Sequence, residues 1–223
     1  MLHGYWRAMK RLAPLLILAF AFTTAGQAAT QRKPEPAPIL SAADKALIDS
    51  AGAYLSGLKT AQARFSQTDP RGAVTGGTFY LQRPGKARFA YDAPTDLTVV
   101  ADGVNVNVYD GRLKTFDQYP LARTPIALLL AADVKFDRAA VMTGVVRDKS
   151  GFTVIVRDVK KQAEGRLLLS FSTAPVALMG WTVIDGQGLK TIVRLNGLKS
   201  GVGLDSKLFE LRNPTPKPSR IKP

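Results

Sequence analysis

The chain has 223 residues, is 46% hydrophobic and has a formal net charge of +14, with one histidine and no cysteine. The histidine, His3, lies in the first few residues, so residues 4–223 have no imidazole and no thiol. This excludes Ser-His-Asp and Cys-His nucleophilic systems, thiolate chemistry and the common zinc sites from almost the whole chain.

Residues 1–28 have the layout of a cleaved secretory signal peptide. Three basic residues precede an apolar stretch from Leu12 to Phe22, and a run of small residues follows. The apolar stretch is about half as long as a membrane-spanning helix, which favours a signal peptide over a membrane anchor. The small residues predict cleavage after Ala28 and a protein outside the cytoplasm. No cysteine is available there for lipid attachment.

The net charge stays strongly positive after cleavage. The signal peptide holds three basic residues and no acidic residue, so the rest of the chain has a net charge of +11. For an exported protein this favours an anionic membrane surface or an acidic partner over nucleic acid. The basic residues are scattered, however, and an ordinary solvated surface explains them equally well.

The remainder predicts one domain between two flexible segments. Residues 29–38 and 214–223 are rich in proline and charge and are expected to be extended. Residues 39–213 have the size of a single domain.

The stretch from Ser41 to Leu58 predicts the first helix. Ser41 and Asp44 have the spacing of a capping pair. Apolar residues recur at helical spacing at Leu47, Ala51, Tyr54, Leu55 and Leu58, with Asp44, Lys45 and Asp49 facing away. Such an amphipathic helix has to pack on an apolar surface.

Residues 124–134, TPIALLLAADV, predict a second helix. Thr124 can cap it, and Pro125 fits the first turn. The run from Ile126 to Ala132 is apolar on every side, so the helix is expected to be buried or to cover an apolar surface. An ordinary core helix and a functional lid are both consistent with this pattern.

Ten segments predict antiparallel strands. They are short, rich in β-branched and aromatic residues, and separated by turn sequences such as PG and DG. The segments are 60–67, 76–82, 86–92, 97–101, 104–110, 112–118, 151–158, 165–172, 180–185 and 189–198. Ten strands with two helices predict a mainly β fold, a large antiparallel sheet curled into a barrel or half barrel.

Several of these strands are apolar on both faces. Phe152, Val154 and Val156 alternate with Ile155 and are followed by Val159. A sheet of such strands is expected to be covered on both sides, by helices or by an apolar ligand.

Few groups are available for catalysis. The glutamates are Glu35, Glu164 and Glu210, and most aspartates lie in turn-like contexts. No Walker-type or dinucleotide-binding glycine loop is present. A pair of aspartates could still act as in glycosidases, but the inventory favours a binding or carrier protein that needs no metal or cofactor.

Four elements in a fixed order resemble the periplasmic lipoprotein carrier family, LolA. They are the FSQ element at 65–67, the RPGK corner at 83–86, the DG hairpin at 102–103 and the TP-led helix at Thr124. The segment LFELRNP at 208–214 resembles the closing strand of the family, so the similarity spans most of the domain.

The resemblance implies an unclosed antiparallel β-barrel, a half barrel, capped by an α-helical lid. Its apolar cavity would bind the acyl chains of lipoproteins. Such a carrier takes lipoproteins from an inner-membrane ABC-type releasing complex and delivers them to an outer-membrane lipoprotein receptor. The resemblance implies no catalysis and no cofactor, and we expect a periplasmic monomer.

Arg83 is the counterpart of the family's lid latch. In the family, the arginine of the RPGK corner lies beneath the helices and binds backbone carbonyls of the lid in the closed form. A guanidinium can do this because it has five donors and keeps its charge. The residues alone also fit a solvent-exposed arginine in a turn, because charged residues near turns are usually solvated.

Nine residues are expected to line the acyl-chain pocket. Six come from strands, namely Phe79, Leu81, Phe89, Tyr91, Val106 and Val108, and three come from the lid, namely Ile126, Leu129 and Leu130. A slip of one residue would invert the face of each strand, and ordinary core packing is the alternative role for each residue.

Two positions depart from the family pattern. Ala87 stands where the family often has a large aromatic or apolar residue. Pro214 begins a short basic tail where some members have a further segment.

Other functions stay open from the sequence. An outer-membrane receptor of the same fold would need an N-terminal cysteine for its lipid, and a regulatory sensor of that fold would normally need another domain. A carrier of a phospholipid or glycolipid would suit the basic surface. A glycosidase would need two aspartates in one cleft.

Overall fold

The computed structural model of the protein describes residues 40–132, 134, 140–158 and 165–214. They belong to one compact unit that runs from Ala37 to Pro223. The expected signal peptide, the segment 29–38, Val159 and residues 215–223 of the expected tail lie outside the described residues.

The first helix, α1, covers Ala42–Gly57 and begins with the predicted capping pair. The Ser41 side chain accepts a hydrogen bond from the Asp44 backbone N–H, and the Asp44 carboxylate accepts one from the Ser41 N–H, each at 3.1 Å. Two otherwise unpaired donors are satisfied in this way. The backbone N–H of Leu58 closes the other end on the carbonyls of Tyr54 and Leu55.

The buried stripe of α1 differs slightly from the prediction. Ala51, Leu55 and Leu58 are buried as expected, whereas Leu47 and Tyr54 pack only partly against the core. Ile48 was missed and is buried. It lies three residues before Ala51, so it belongs to the same side of the helix.

All ten predicted strands are present, together with an eleventh. The strands are β1 Thr60–Thr68, β2 Val74–Gln82, β3 Lys86–Tyr91, β4 Leu97–Asp102, β5 Asn105–Asp110, β6 Thr115–Pro120, β7 Ala140–Asp148, β8 Gly151–Asp158, β9 Arg166–Thr173, β10 Val176–Ile184 and β11 Lys190–Ser200. The unpredicted strand is β7. Its pairing with β8 shifts register between Met142 and Gly144, and such an irregularity breaks the alternation by which a strand is recognised.

The strands form one antiparallel sheet in the order β6-β5-β4-β3-β2-β1-β11-β10-β9-β8-β7. Strands β1 to β6 form one meander and β7 to β11 a second, and the pairing of β1 with β11 joins them. β6 and β7 are the two edges of this sheet and are not paired with each other in the described part of the chain. The predicted mainly β, unclosed fold is therefore confirmed.

The sheet bends strongly toward one side. β3 and β10 are separated by four strand spacings, about 19 Å in a flat sheet. Yet the ring centroids of Phe89 and Trp181, which lie on these strands, are 6.0 Å apart. The face that holds both rings is therefore concave, and we call it the inner face. Leu55 of α1 belongs to the same hydrophobic cluster as Phe79 of this face.

The second helix is much shorter than predicted. A 3₁₀ turn covers Leu121–Arg123, and the helix that follows, α2, covers only Ala127–Leu130. Thr124 does not cap it, because its hydroxyl donates to the carbonyl of Leu121 at 2.7 Å. The carbonyl of Leu130 accepts from the Gly85 N–H at 2.8 Å, so the end of α2 is bound to the sheet.

The predicted closing strand at 208–214 is wrong. Ser206–Phe209 forms a 3₁₀ turn that Asp205 caps through the Lys207 N–H, since an aspartate in that position favours a helical turn. The turn packs on β3 and β4, where Phe209 is buried and Arg88 donates to the Leu208 carbonyl at 3.1 Å.

The face of the sheet opposite to the inner face, which we call the outer face, is covered differently in the two halves of the sheet. On β4, Val100 lies opposite Arg88 and is fully buried, although it is on the outer face. On β8, Phe152 and Val156 are buried on the inner face, whereas Ile155 is partly exposed. Cover on both faces is therefore seen at β4, whereas at β8 the described residues cover the outer face only in part. No helix among the described residues is long and apolar enough to cross a membrane.

Gly77 lies where a side chain has no room. A Cβ atom there would be 2.2 Å from the Ala90 carbonyl oxygen and 2.7 Å from a ring carbon of Phe65. We expect Gly77→Ala to lower the free energy of unfolding by about 2–3 kcal/mol, because crowding in a packed core costs this much. Urea unfolding followed by Trp181 fluorescence measures the loss.

The matched control is Gly57→Ala, at the end of α1, where nothing outside the neighbouring residues and the backbone of the helix lies within 4 Å of the added Cβ. This variant is expected to stay within about 0.5 kcal/mol of the unmodified protein, or to be more stable. Equal unfolding midpoints for the two variants would contradict the packing described for Gly77.

Candidate functional site

The six predicted strand residues all lie on the inner face. Residues directly opposite each other in antiparallel strands share a face, and the register links these positions from strand to strand. Between β2 and β3, Phe79 is opposite Phe89, Leu81 opposite Ala87 and Gly77 opposite Tyr91. Between β3 and β4, Phe89 is opposite Val99 and Ala87 opposite Ala101. Between β4 and β5, Val99 is opposite Val108 and Ala101 opposite Val106. The structure therefore brings the six side chains together.

Burial decreases along this face from the centre of the sheet toward the β6 edge. Phe79 and Leu81 on β2 are fully buried, whereas Phe89, Tyr91, Val106 and Val108 on β3 and β5 are only partly buried. These four residues, which we call the open strip, leave apolar surface within reach of solvent. A contiguous apolar surface of this kind is typical of a binding site.

An aromatic cluster forms the centre of the inner face. The ring centroids of Phe79 and Trp181 are 5.4 Å apart, as are those of Phe65 and Phe89, and Phe65 also contacts Tyr91 at 5.1 Å. Phe65 and Trp181 were missed in the predicted pocket. Their strands, β1 and β10, lie on either side of β11, and alternation within a strand gives no sign of such a pairing.

The three predicted lid residues lie on the same hydrophobic cluster. Leu129 and Leu130 are fully buried, and Ile126 is packed partly against the cluster. Ala87, the position that departs from the family pattern, is buried on the inner face opposite Leu81.

One polar pair lies within the apolar face. The Tyr91 hydroxyl donates to the side-chain carbonyl of Gln67 at 2.9 Å, and Gln67 is buried. Burial raises the pKa of Tyr91 to about 12, although the hydrogen bond with Gln67 acts in the opposite direction. The phenol therefore stays neutral over the physiological range. Gln67 is the last residue of the FSQ element.

Arg83 lies at the end of the inner face and is buried, with 7% of its surface exposed. Its Nη1 donates to the carbonyl of Leu55 in α1 at 2.8 Å. Burial lowers the pKa of Arg83 to about 10, and Tyr54 partly opposes this shift. The guanidinium is therefore still charged at neutral pH.

The RPGK corner contacts both helices. Arg83 binds α1 through its side chain, whereas the contact with α2 is the backbone hydrogen bond from Gly85 to Leu130. The sequence pointed to the arginine as the link to the lid. It did not indicate that α2 is bound by a backbone group.

The opposite end of α1 is held by an ion pair. Arg147 Nη2 on β7 lies 2.7 Å from Asp44 Oδ1. The hydrogen bond with Ser41, together with the charge of Arg147, holds the pKa of Asp44 below its usual value. α1 is thus attached to the sheet by polar contacts at both ends.

Several aspartates stabilise turns, as their sequence context predicted. The carboxylates of Asp69, Asp102, Asp110, Asp148, Asp185 and Asp205 each accept at least one backbone N–H from a residue two to four positions later. Asp205 precedes the 3₁₀ turn Ser206–Phe209, and the other five carboxylates are at the ends of strands, where the chain reverses direction.

Comparison with known proteins assigns the chain to a family. The family model described as outer membrane lipoprotein carrier protein LolA matches residues 56–212. The chain belongs to the LolA family.

Two relatives, both named outer-membrane lipoprotein carrier protein, show the extent of the similarity. The protein of Methylococcus capsulatus is 31% identical over 172 residues, which cover 72% of this chain and 81% of the relative. That of Pseudomonas aeruginosa is 31% identical over 188 residues, which cover 78% and 86%.

One solved structure can be aligned with most of this chain. It is a putative outer membrane lipoprotein-sorting protein domain from Vibrio parahaemolyticus, with a TM-score of 0.46 and 11% identity, covering 74% of this chain and 96% of that one.

The ionisation of Tyr91 gives a test of its burial in the LolA-family domain. In the unfolded chain a tyrosine ionises near pH 10, and folded Tyr91 ionises near 12. Tyr91 therefore stabilises the fold fully below pH 10, and this contribution is lost as the pH rises to 12. We expect the difference in the free energy of unfolding between the unmodified protein and Tyr91→Phe to fall by about 2–3 kcal/mol over that range.

Denaturation of both proteins at several pH values measures this difference. The other titrating groups are the same in the two proteins, so their contributions to the free energy of unfolding cancel. A difference for Tyr91→Phe that does not depend on pH would show that the phenol is solvated.

Proposed function

We propose that this protein is a periplasmic, non-enzymatic carrier that binds the acyl chains of lipoproteins on its inner face. The observation that carries the proposal is the open strip, an apolar surface that continues from the buried core and is only partly covered. Membership of the LolA family supports lipoproteins as the cargo. The basic surface also suits a second candidate, a carrier of an anionic phospholipid or glycolipid.

Lipoproteins need a carrier because their acyl chains are insoluble. Each CH₂ group moved from an apolar environment into water costs about 0.8 kcal/mol, so several chains cost tens of kcal/mol. The inner face provides an apolar surface on which the acyl chains avoid contact with water. The aromatic cluster and the open strip form one continuous apolar surface for this purpose.

The carrier takes its cargo from an inner-membrane ABC-type releasing complex and delivers it to an outer-membrane receptor. Because it presents one opening to two partners in turn, we expect it to act as a monomer. Export by the signal peptide at residues 1–28 would place it in the periplasm.

Release requires that binding is not too strong. When the pocket is empty, closure of α1 and α2 on the inner face hides apolar surface from water. Bound acyl chains have to displace these helices, so the cost of opening lowers the net affinity. Arg83, as the latch, sets part of this cost through its hydrogen bond to Leu55.

The identity of the natural ligand is tested by purification from the periplasm followed by native mass spectrometry. We expect a triacylated polypeptide bound to the protein. Free phospholipid or glycolipid alone would contradict the lipoprotein proposal and support the second candidate.

A pair of variants shows where the ligand binds. Val108→Glu places a charge in the open strip and is expected to reduce the bound ligand at least tenfold, because a charge is costly in an apolar site. Asn196→Glu adds the same charge at an exposed position of β11 and should leave ligand binding unchanged. Equal loss in both variants would argue against the open strip as the site.

Arg83→Leu tests the latch. We expect the variant to fold and to load lipoprotein, but to transfer it about tenfold more slowly, because loss of a hydrogen bond worth about 1–1.5 kcal/mol weakens the closed state. A reconstituted transfer assay with the releasing complex and the receptor measures the rate. Arg194→Leu, at an exposed position of β11, is the control, and normal handover by Arg83→Leu would refute the latch.

A further inference from the structure

The guanidinium of Arg83 uses only part of its donor capacity. Nη1 binds the Leu55 carbonyl, but Nε and Nη2 are buried and have no hydrogen-bond partner in the described part of the chain. Nε–H and one Nη2–H point in parallel from the same edge of a guanidinium. This edge has the geometry that binds both oxygens of a carboxylate.

The charge of Arg83 also has no counter-ion among the described residues. The ion pairs found there join Arg64 to Asp92, Arg147 to Asp44 and Arg212 to Glu210. A buried cation without an anion is unfavourable, so an anionic ligand would find an unsatisfied partner here.

The free edge lies at one end of the apolar surface. Arg83 follows Phe79 and Leu81 on β2 at alternating positions, and Phe79 is about 13 Å away along the strand. Phe79 contacts Phe89 and Trp181. A ligand with a long alkyl chain and a terminal carboxylate could place the chain on these rings and the carboxylate at Arg83.

We propose that the Nε and Nη2 edge of Arg83 is a carboxylate site, and that the protein binds free long-chain fatty acids there. The proposal rests on the proposed function in one respect, that the inner face binds acyl chains. It adds a second ligand class, because the acyl groups of a lipoprotein are esters and amides without a carboxylate. Both nitrogens are covered in this conformation, so α1 has to move when the fatty acid binds.

The test compares two fluorescent probes that differ only at the head group, cis-parinaric acid and its methyl ester. Dissociation constants are measured at pH 7 for the delipidated protein and its variants. We expect the preference for the acid over the ester to fall at least tenfold in Arg83→Leu. Both probes need the same movement of α1, so any change in lid closure cancels from this ratio.

Arg194→Leu removes one positive charge from an exposed position of the outer face and is the matched control. It should retain the preference of the unmodified protein. Arg83→Lys keeps the charge without the paired donors and is expected to lose part of the preference. It provides the same comparison should Arg83→Leu fail to fold, which circular dichroism would show.

The measured preferences distinguish a failure of the carboxylate proposal from a failure of the lipoprotein carrier proposal. An unchanged preference in Arg83→Leu, or an equal loss in Arg194→Leu, overturns the carboxylate site and leaves the lipoprotein proposal intact. If neither probe binds any of the proteins, the inner face does not take up acyl chains, and both proposals fail.

Discussion

The pairing of β1 with β11 is the interaction on which the rest of the structure depends. Every other pair of neighbouring strands is consecutive in the chain, whereas this pair joins two separate meanders, with Phe65 opposite Leu195. It places Phe65 and Trp181 on one curved face with Phe79 and Phe89. Without it, each meander would expose one apolar face to water, which is the arrangement that the hydrophobic effect opposes most strongly.

Curvature then creates a face that is more apolar than its helices can cover. α1 buries one stripe of side chains, and α2 has only a single turn with which to cover the sheet. The open strip is the part that stays partly exposed. An apolar surface attached to a well-packed core can bind a flexible chain without a change in the sheet itself, because the sheet is held by its own ladder of hydrogen bonds.

In addition to the apolar packing of their buried side chains, the helices are attached to the sheet by a few polar contacts. α1 is linked through Arg83 and through the ion pair of Arg147 with Asp44, and α2 through Gly85. Contacts of this type contribute about 1 kcal/mol each, which is small beside the burial of several large side chains. In the proposed function, opening of the lid breaks these polar contacts while the hydrogen bonds of the sheet stay intact. Arg83 lies where the two kinds of contact meet, and its Nε and Nη2, which have no partner among the described residues, oppose the closure that Nη1 supports.

Local interactions could be predicted from the sequence by itself. The capping pair of Ser41 and Asp44, the turn aspartates and the alternation of ten strands each depend on residues a few positions apart, so their spacing identifies them. The six strand residues predicted for the pocket share one face of β2, β3 and β5, and their role in binding stays a prediction. The family resemblance selected the unclosed form from the barrel or half barrel that the strand pattern allowed, and it singled out Arg83 as the predicted latch.

Only the tertiary structure decided what depends on contacts between distant residues. The end of α2 is set by Gly85, more than forty positions earlier in the chain. The turn at Ser206–Phe209 replaces a strand because it packs on β3 and β4. The burial of Arg83 and its hydrogen bond to the Leu55 carbonyl depend on where α1 packs against the sheet. A spacing pattern describes one segment at a time, whereas these bonds form between segments that only the folded sheet brings together.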